Sequence, residues 1–212
     1  MTRSIPRAAV LAAALATATL FSACAPLLVG GAMIGGSFVA VDRRTSGAQL
    51  EDQAIELKSV SRINDLATLG NISVTSYNRF VLITGEVPAE ADRNRVEQVV
   101  RRIENVRGVD NELAVGPNAT LGDRSSDSII SAKVKASFID AKDLQANAIK
   151  VVCERGVVYL LGIVTEREAK RASDIARGVS GVQKVVRVFE IISEQELAGL
   201  QPKQAPVETK KP

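Results

Sequence analysis

The chain has no histidine, no tryptophan, only two cysteines, and aromatic residues at 3% of its 212 positions. Without histidine there is no Ser-His-Asp or Cys-His catalytic set, no imidazole metal ligand and no imidazole pH switch. Cys24 and Cys153 lie too far apart for a CxxC redox pair or a thiolate metal cluster. Scarce aromatics leave no extended platform for stacking single-stranded bases. No Walker loop, Rossmann fingerprint or nucleophile elbow occurs. These absences predict no catalytic residue, no metal, no cofactor and no nucleic-acid partner.

What is present begins with an address. Arg3 and Arg7 precede Ala8–Phe21, an uncharged stretch rich in Ala and Leu. This is the n-region and h-region of a signal peptide. It ends Leu20-Phe21-Ser22-Ala23-Cys24, which resembles a bacterial lipobox and predicts acylation of Cys24. The alternative is a signal anchor, since no charge occurs from Ala8 to Val41. Repeated glycines at 30, 31, 35 and 36 weaken that alternative by lowering helix propensity. Ala25 stands where inner-membrane lipoproteins typically carry Asp, which by resemblance to that sorting rule sends the protein to the outer membrane. Residues 24–49 then read as a lipidated, Gly-rich tether.

The rest is organised by an internal repeat. Ile72-Ser-Val74-Thr-Ser76 matches Ile149-Lys-Val151-Val-Cys153, and Gly85 and Val87 match Gly162 and Val164. Each copy alternates with period two around a turn, Tyr77-Asn78-Arg79 or Glu154-Arg155-Gly156, and predicts a β-hairpin. Helical spacing follows: Val96, Val99, Val100, Ile103 and Val106 in one copy, Ala169, Ala172, Ile175, Ala176 and Val179 in the other. Thr165 and Glu168 form a capping box. The helices are expected to stop at Gly108-Val109 and Gly181-Val182, making the first about one turn longer. Strand-prone runs close the copies at Glu112–Val115 and Val185–Ile192. Helices also precede the hairpins, with Asp52 and Asp127 as expected N-caps.

The fold class is therefore α/β (α+β), two consecutive αββαβ units, each a small three-stranded sheet packed with two helices. The boundaries are 1–23 leader, 24–49 tether, 50–116 first unit, 117–126 linker, 127–193 second unit and 194–212 a disordered Pro/Lys tail. Such small units are marginal alone, so the two are expected to pack together.

The spacing Gly162-x-Val164-x(4)-Ala169 with Val179-Ser-Gly181-Val182 resembles the BON domain. With the lipobox and tether, the plan is similar to the dual BON-domain outer-membrane lipoprotein family. That resemblance implies a non-enzymatic protein on the periplasmic face of the outer membrane. It implies binding of anionic phospholipid (phosphatidylglycerol or cardiolipin) through the second unit, a place at the division site, and support of envelope integrity. Outer-membrane assembly proteins are its implied protein partners.

Charge separates the units independently. Leu50–Val115 carries 8 basic and 11 acidic residues, and Asp127–Ile192 carries 11 basic and 8 acidic. A basic module near an anionic surface gains roughly 1 kcal/mol per Lys or Arg, although such a surplus is also ordinary for solvated surface. Ile130, Val134 and Phe138 are expected to face the core, and Ile129, Lys133 and Lys135 to form an exposed lipid-binding stripe. An ordinary half-buried Ile129 is equally compatible with helix geometry. Cys153 alternates with Ile149 and Val151 and reads as a buried small hydrophobe. Glu166, Glu168 and Asp174 read as a solvated, salt-bridged helix face. The rival function is a protein-interaction adaptor, docking through the acidic first unit or through Arg93–Arg107.

Overall fold

Thr45 accepts a hydrogen bond from the Ala48 N–H and opens the first helix, α1 (Ser46–Asn64). The computed structural model describes residues 42–66 and 70–200; Cys24, the leader and most of the tether lie outside the described residues. From α1 the chain enters β1 (Asn71–Tyr77), turns at Asn78-Arg79 and returns antiparallel as β2 (Phe80–Val87). α2 (Glu90–Arg101) crosses back, and β3 (Gly108–Asn111) and β4 (Ala114–Val115) pair parallel with β2. The third strand, expected over Glu112–Val115, instead begins at Gly108 and is interrupted at Glu112-Leu113, where Leu113 drops into the core.

The second unit repeats the plan. α3 (Leu121–Asp140) leads to the hairpin β5 (Ile149–Glu154) and β6 (Val157–Val164). α4 (Glu166–Arg177) follows, then β7 (Lys184–Ile191), parallel to β6 over its whole length, and a short α5 (Glu194–Leu200) that buries Leu197 where the sequence predicted the disordered tail to begin. The Thr165–Glu168 capping box forms as expected, and a second one, Thr120–Asp123, opens α3.

Alternation in β2 and β6 explains how the units meet. Val81, Ile83 and Val87 point at α1 and α2, while Val158, Leu160 and Val164 point at α3 and α4. The opposite faces carry Tyr77 and Leu82 in one sheet and Tyr159, Leu161 and Ile163 in the other, and these form a third core between the sheets. Both central strands are buried on both faces, so their sequences are near-continuous apolar runs.

Four expectations are corrected. Asp52 and Asp127 are not N-caps, because the helices start earlier, at Ser46 and Leu121. Each carboxylate instead accepts from its own hairpin turn: Asp52 from the N–H groups of Asn78 and Arg79, Asp127 from those of Arg155 and Gly156. The turn residues have φ between 50° and 73°, so two N–H groups converge on one acid. Nor is the first crossover helix longer, since α2 and α4 each have 12 residues. Gly108 is a strand residue against the Phe80 ring, and Asn105 (φ 68°) is the left-handed residue that answers Gly181 (φ 99°). Cys153 is half-buried rather than buried. Glu168 leaves the solvated face and lies 4% exposed beneath Arg43.

Candidate functional site

α3 is apolar on two sides. Its inner side buries Ile130, Val134 and Phe138 against the second sheet. Its outer side exposes Leu121 (81%), Ile129 (56%) and Ile139 (72%), with exposed Ala132 and Ala136 among them. Leu121 and Ile139 are about five turns apart and therefore lie on one line, with Ile129 about 80° around from it. Lys133 lies some 40° beyond Ile129, so the apolar residues and this lysine share an arc of roughly 120°.

Lys135 does not belong to that arc. It points about 120° to the other side of Ile129 and lines a cleft of about 510 Å³ with Arg124, Ser128, Ser131, Cys153 and Glu154. Lys133 and Lys135 thus flank the stripe from opposite sides. Among the described residues, Arg124, Lys133, Lys135 and Lys142 have no ion-pair partner, so their charge is available to solvent. Sequence reasoning missed Leu121 and Ile139. Leu121 falls in the expected linker, and Ile139 directly follows the core residue Phe138, so no spacing rule marks it as part of the outer face.

The cleft beside Lys135 is unsuited to nucleophilic chemistry. Cys153 Sγ donates to Asp127 Oδ1 at 3.3 Å, and burial followed by this acid pushes the thiol up to about 12. Glu154 is raised too, first by burial and then by Glu86 and Asp127. Glu86 is fully buried between the units; one oxygen accepts from the Ala119 N–H, and Arg155 lies 3.8 Å from the other. No cluster of three or more potential metal ligands occurs among the described residues.

A clasp fixes where the tether leaves the body. Arg43 holds Glu168 through two bonds of 2.8 Å and donates to the Ile163 carbonyl, with both side chains about 5% exposed. Arg44 turns the other way, pairing with Asp42 and Asp52 and stacking 4.1 Å over the Tyr77 ring. Consecutive arginines therefore grip opposite units. Arg43 also donates to Gln145, five residues past the C-terminal end of α3.

The BON domain pattern matches residues 51–117 and 126–193. The chain belongs to the BON-domain family. This BON protein is 36% identical over 180 residues to the outer membrane lipoprotein DolP of Haemophilus influenzae, a match covering 82% of this chain and 92% of the relative. It is 30% identical over 155 residues to the 21 kDa hemolysin of Actinobacillus pleuropneumoniae, covering 72% and 80%. Osmotically-inducible protein Y of Escherichia coli is 26% identical over 144 residues, covering 66% of this chain and 72% of that relative. Among the described residues of this BON protein, no helix is long and apolar enough to cross a membrane.

Proposed function

We propose that this is an outer-membrane lipoprotein, anchored through Cys24 on the periplasmic face, whose second BON domain binds anionic phospholipid and supports envelope integrity. The observation that carries this reading is the outer face of α3, where large apolar side chains project between unpaired cations. Each isoleucine fully withdrawn from water into acyl chains contributes about 2 kcal/mol. The flanking cations add attraction to phosphate that salt screens beyond about 8 Å. The tether suits the same reading. Seventeen residues lie between Cys24 and Asp42, so the body stays within about 60 Å of the bilayer. The relative named outer membrane lipoprotein supports the location.

Vesicle flotation of residues 42–212, which lack the acyl anchor, tests it. Phosphatidylglycerol or cardiolipin vesicles are expected to carry the protein, and neutral phosphatidylcholine vesicles to carry little. Ile129→Asp and Ile139→Asp should each reduce flotation strongly at any salt. Lys133→Glu should reduce it at low salt and much less at high salt. Equal flotation of all these variants, or no preference for anionic lipid, would overturn the assignment.

A further inference from the structure

α3 carries a polar stripe beside its apolar line. Arg124, Ser128, Ser131 and Lys135 follow one another at i, i+4, i+7 and i+11, so they share one side of the helix. They line the cleft of about 510 Å³ to which β5 contributes Cys153 and Glu154. Each cation of the cleft lies one helical turn from an end of the apolar line. Arg124 comes three residues after Leu121, and Lys135 four before Ile139.

The charges in this cleft are not paired off. Arg124 and Lys135 are exposed and have no ion-pair partner among the described residues. Two carboxylates face the same space, Asp127 and Glu154. Asp127 is 6% exposed and already occupied, since it accepts from the N–H groups of Arg155 and Gly156 and from Cys153 Sγ. Glu154 is different. It is half-buried, and its carboxylate has neither an ion pair nor a hydrogen bond among the described residues. Glu86 of β2 and Asp127 of α3 face it as like charges, and Arg124 of α3 and Arg155 of the hairpin turn as opposite ones. Arg155 lies 3.8 Å from Glu86, which shares its charge. Burial and the two acids raise Glu154 above its ordinary value of 4.5, and the two arginines do not offset them.

We propose, on the basis of the lipid reading above, that this cleft seats the phosphate of an anionic phospholipid and that Glu154 is its displaceable counter-charge. The entering phosphate takes Arg124 and Lys135 as its partners, and Glu154 gives way by accepting a proton from solvent. The acyl chains of the same lipid meet Leu121 and Ile139, one turn from the two cations. A phosphate beside Glu154 adds a like charge and so favours the neutral carboxyl. Glu154 therefore holds its proton more tightly with lipid bound than without. Binding takes up protons, and it strengthens as pH falls through the range between the two values.

The test uses residues 24–212 with Cys24→Ser, which carries no acyl anchor. Binding to phosphatidylglycerol vesicles, whose phosphodiester stays ionised throughout, should tighten severalfold from about pH 7.5 to about pH 5, within the limit of about tenfold per pH unit for one proton. Calorimetry in buffers of different ionisation enthalpy should record proton uptake on binding. Glu154→Gln should bind at the higher pH as tightly as the parent does at the lower, with a flat profile and no uptake. Glu104→Gln, which removes an exposed acid of the first unit, should keep the parent profile. Lys135→Gln should weaken binding and reduce the uptake. Lys133→Gln, on the far flank of the stripe, should weaken binding and keep the uptake. Inorganic phosphate should displace the protein no better than chloride at equal ionic strength, because it brings no acyl chain. An affinity independent of pH, uptake that persists in Glu154→Gln, or displacement by phosphate alone would overturn the proposal. Those results leave the apolar contact of α3 standing when Ile129→Asp still removes binding. A parent that binds no anionic vesicle at any pH overturns both.

Discussion

Arg43 and Glu168 show what one buried pair does for this protein. Burial alone pushes the Glu168 carboxyl up, but the Arg43 guanidinium, the Thr165 N–H and the Arg43 charge outweigh it and hold it below its ordinary value of 4.5. A carboxyl depressed in the folded state contributes stability above the unfolded value and loses it as pH falls through the folded one. Urea midpoints should therefore fall as pH drops below about 4.5, and Glu168→Gln should flatten that slope. Arg43→Ala leaves a buried carboxylate uncompensated, and its expected cost is about 3–5 kcal/mol. A loss below about 1 kcal/mol would mean that the pair behaves as a solvated one. Turn residues supply a prediction of opposite sign. Arg79 is held at φ 65° where the second unit has Gly156 at φ 73°. A left-handed non-glycine residue carries a penalty of about 1 kcal/mol, so Arg79→Gly should raise the urea midpoint, corresponding to roughly 0.5–1 kcal/mol. The Asp52 bonds to the turn use backbone N–H groups and survive the change.

At the scale of elements, the hairpins and the Thr165 start of α4 were legible, and the other helix ends were not. Alternation specifies a strand locally, and the turn residues at 78–79 and 155–156 mark where it reverses. Helix starts misled because Asp suits an N-cap and also suits a side chain that reaches back to a turn. At 52 and 127 the second use prevails, more than 20 residues away in sequence from the groups each acid holds. The outer face of α3 was half legible: Ile129 and Lys133 came from helical spacing, whereas Leu121 required knowing where the helix begins. Arg43 was illegible, because its partner lies 125 residues away and no local pattern announces such a contact. The paired glycines were read correctly as equivalent, and the structure gives the reason. A Cβ at Gly85 would collide with the Asn71 carbonyl, and one at Gly162 with the Ala148 carbonyl. Gly162→Ala should therefore cost about 2 kcal/mol as overpacking. Gly85→Ala should cost more, since its φ of 112° adds backbone strain. Thermal melts of the two variants should rank in that order, and a reversed order would place the strain elsewhere.

For the whole molecule, the decisive feature is that neither sheet has a solvent face. The layers run helix, sheet, sheet, helix, so α1 with α2 and α3 with α4 occupy opposite outer layers. Leu82 is fully buried by this arrangement, as is Leu161, and neither touches a helix core of its own unit. Tyr77 donates to the Ala148 carbonyl and Tyr159 to Glu112, each across the seam, which lets two hydroxyls sit in an apolar layer. Small domains with one helical face each gain from such a shared core, and the Arg43–Arg44 clasp closes its edge. The two units should accordingly unfold as one. Urea denaturation followed by circular dichroism should give a single transition whose slope reflects the surface of both units. Leu161→Asp would place an unpaired carboxylate opposite Leu82, at a cost of several kcal/mol to the seam, while leaving Leu160 and the helix-facing core of the second unit in place. The expected result is two transitions with smaller slopes, and an apolar dye that binds the separated sheet faces before either unit unfolds. Ile129→Asp, on the outer layer, should keep the single transition. A Leu161→Asp protein that still unfolds in one step with the parent slope would mean that the helix-facing cores alone set cooperativity, and that the layer between the sheets is contact without coupling.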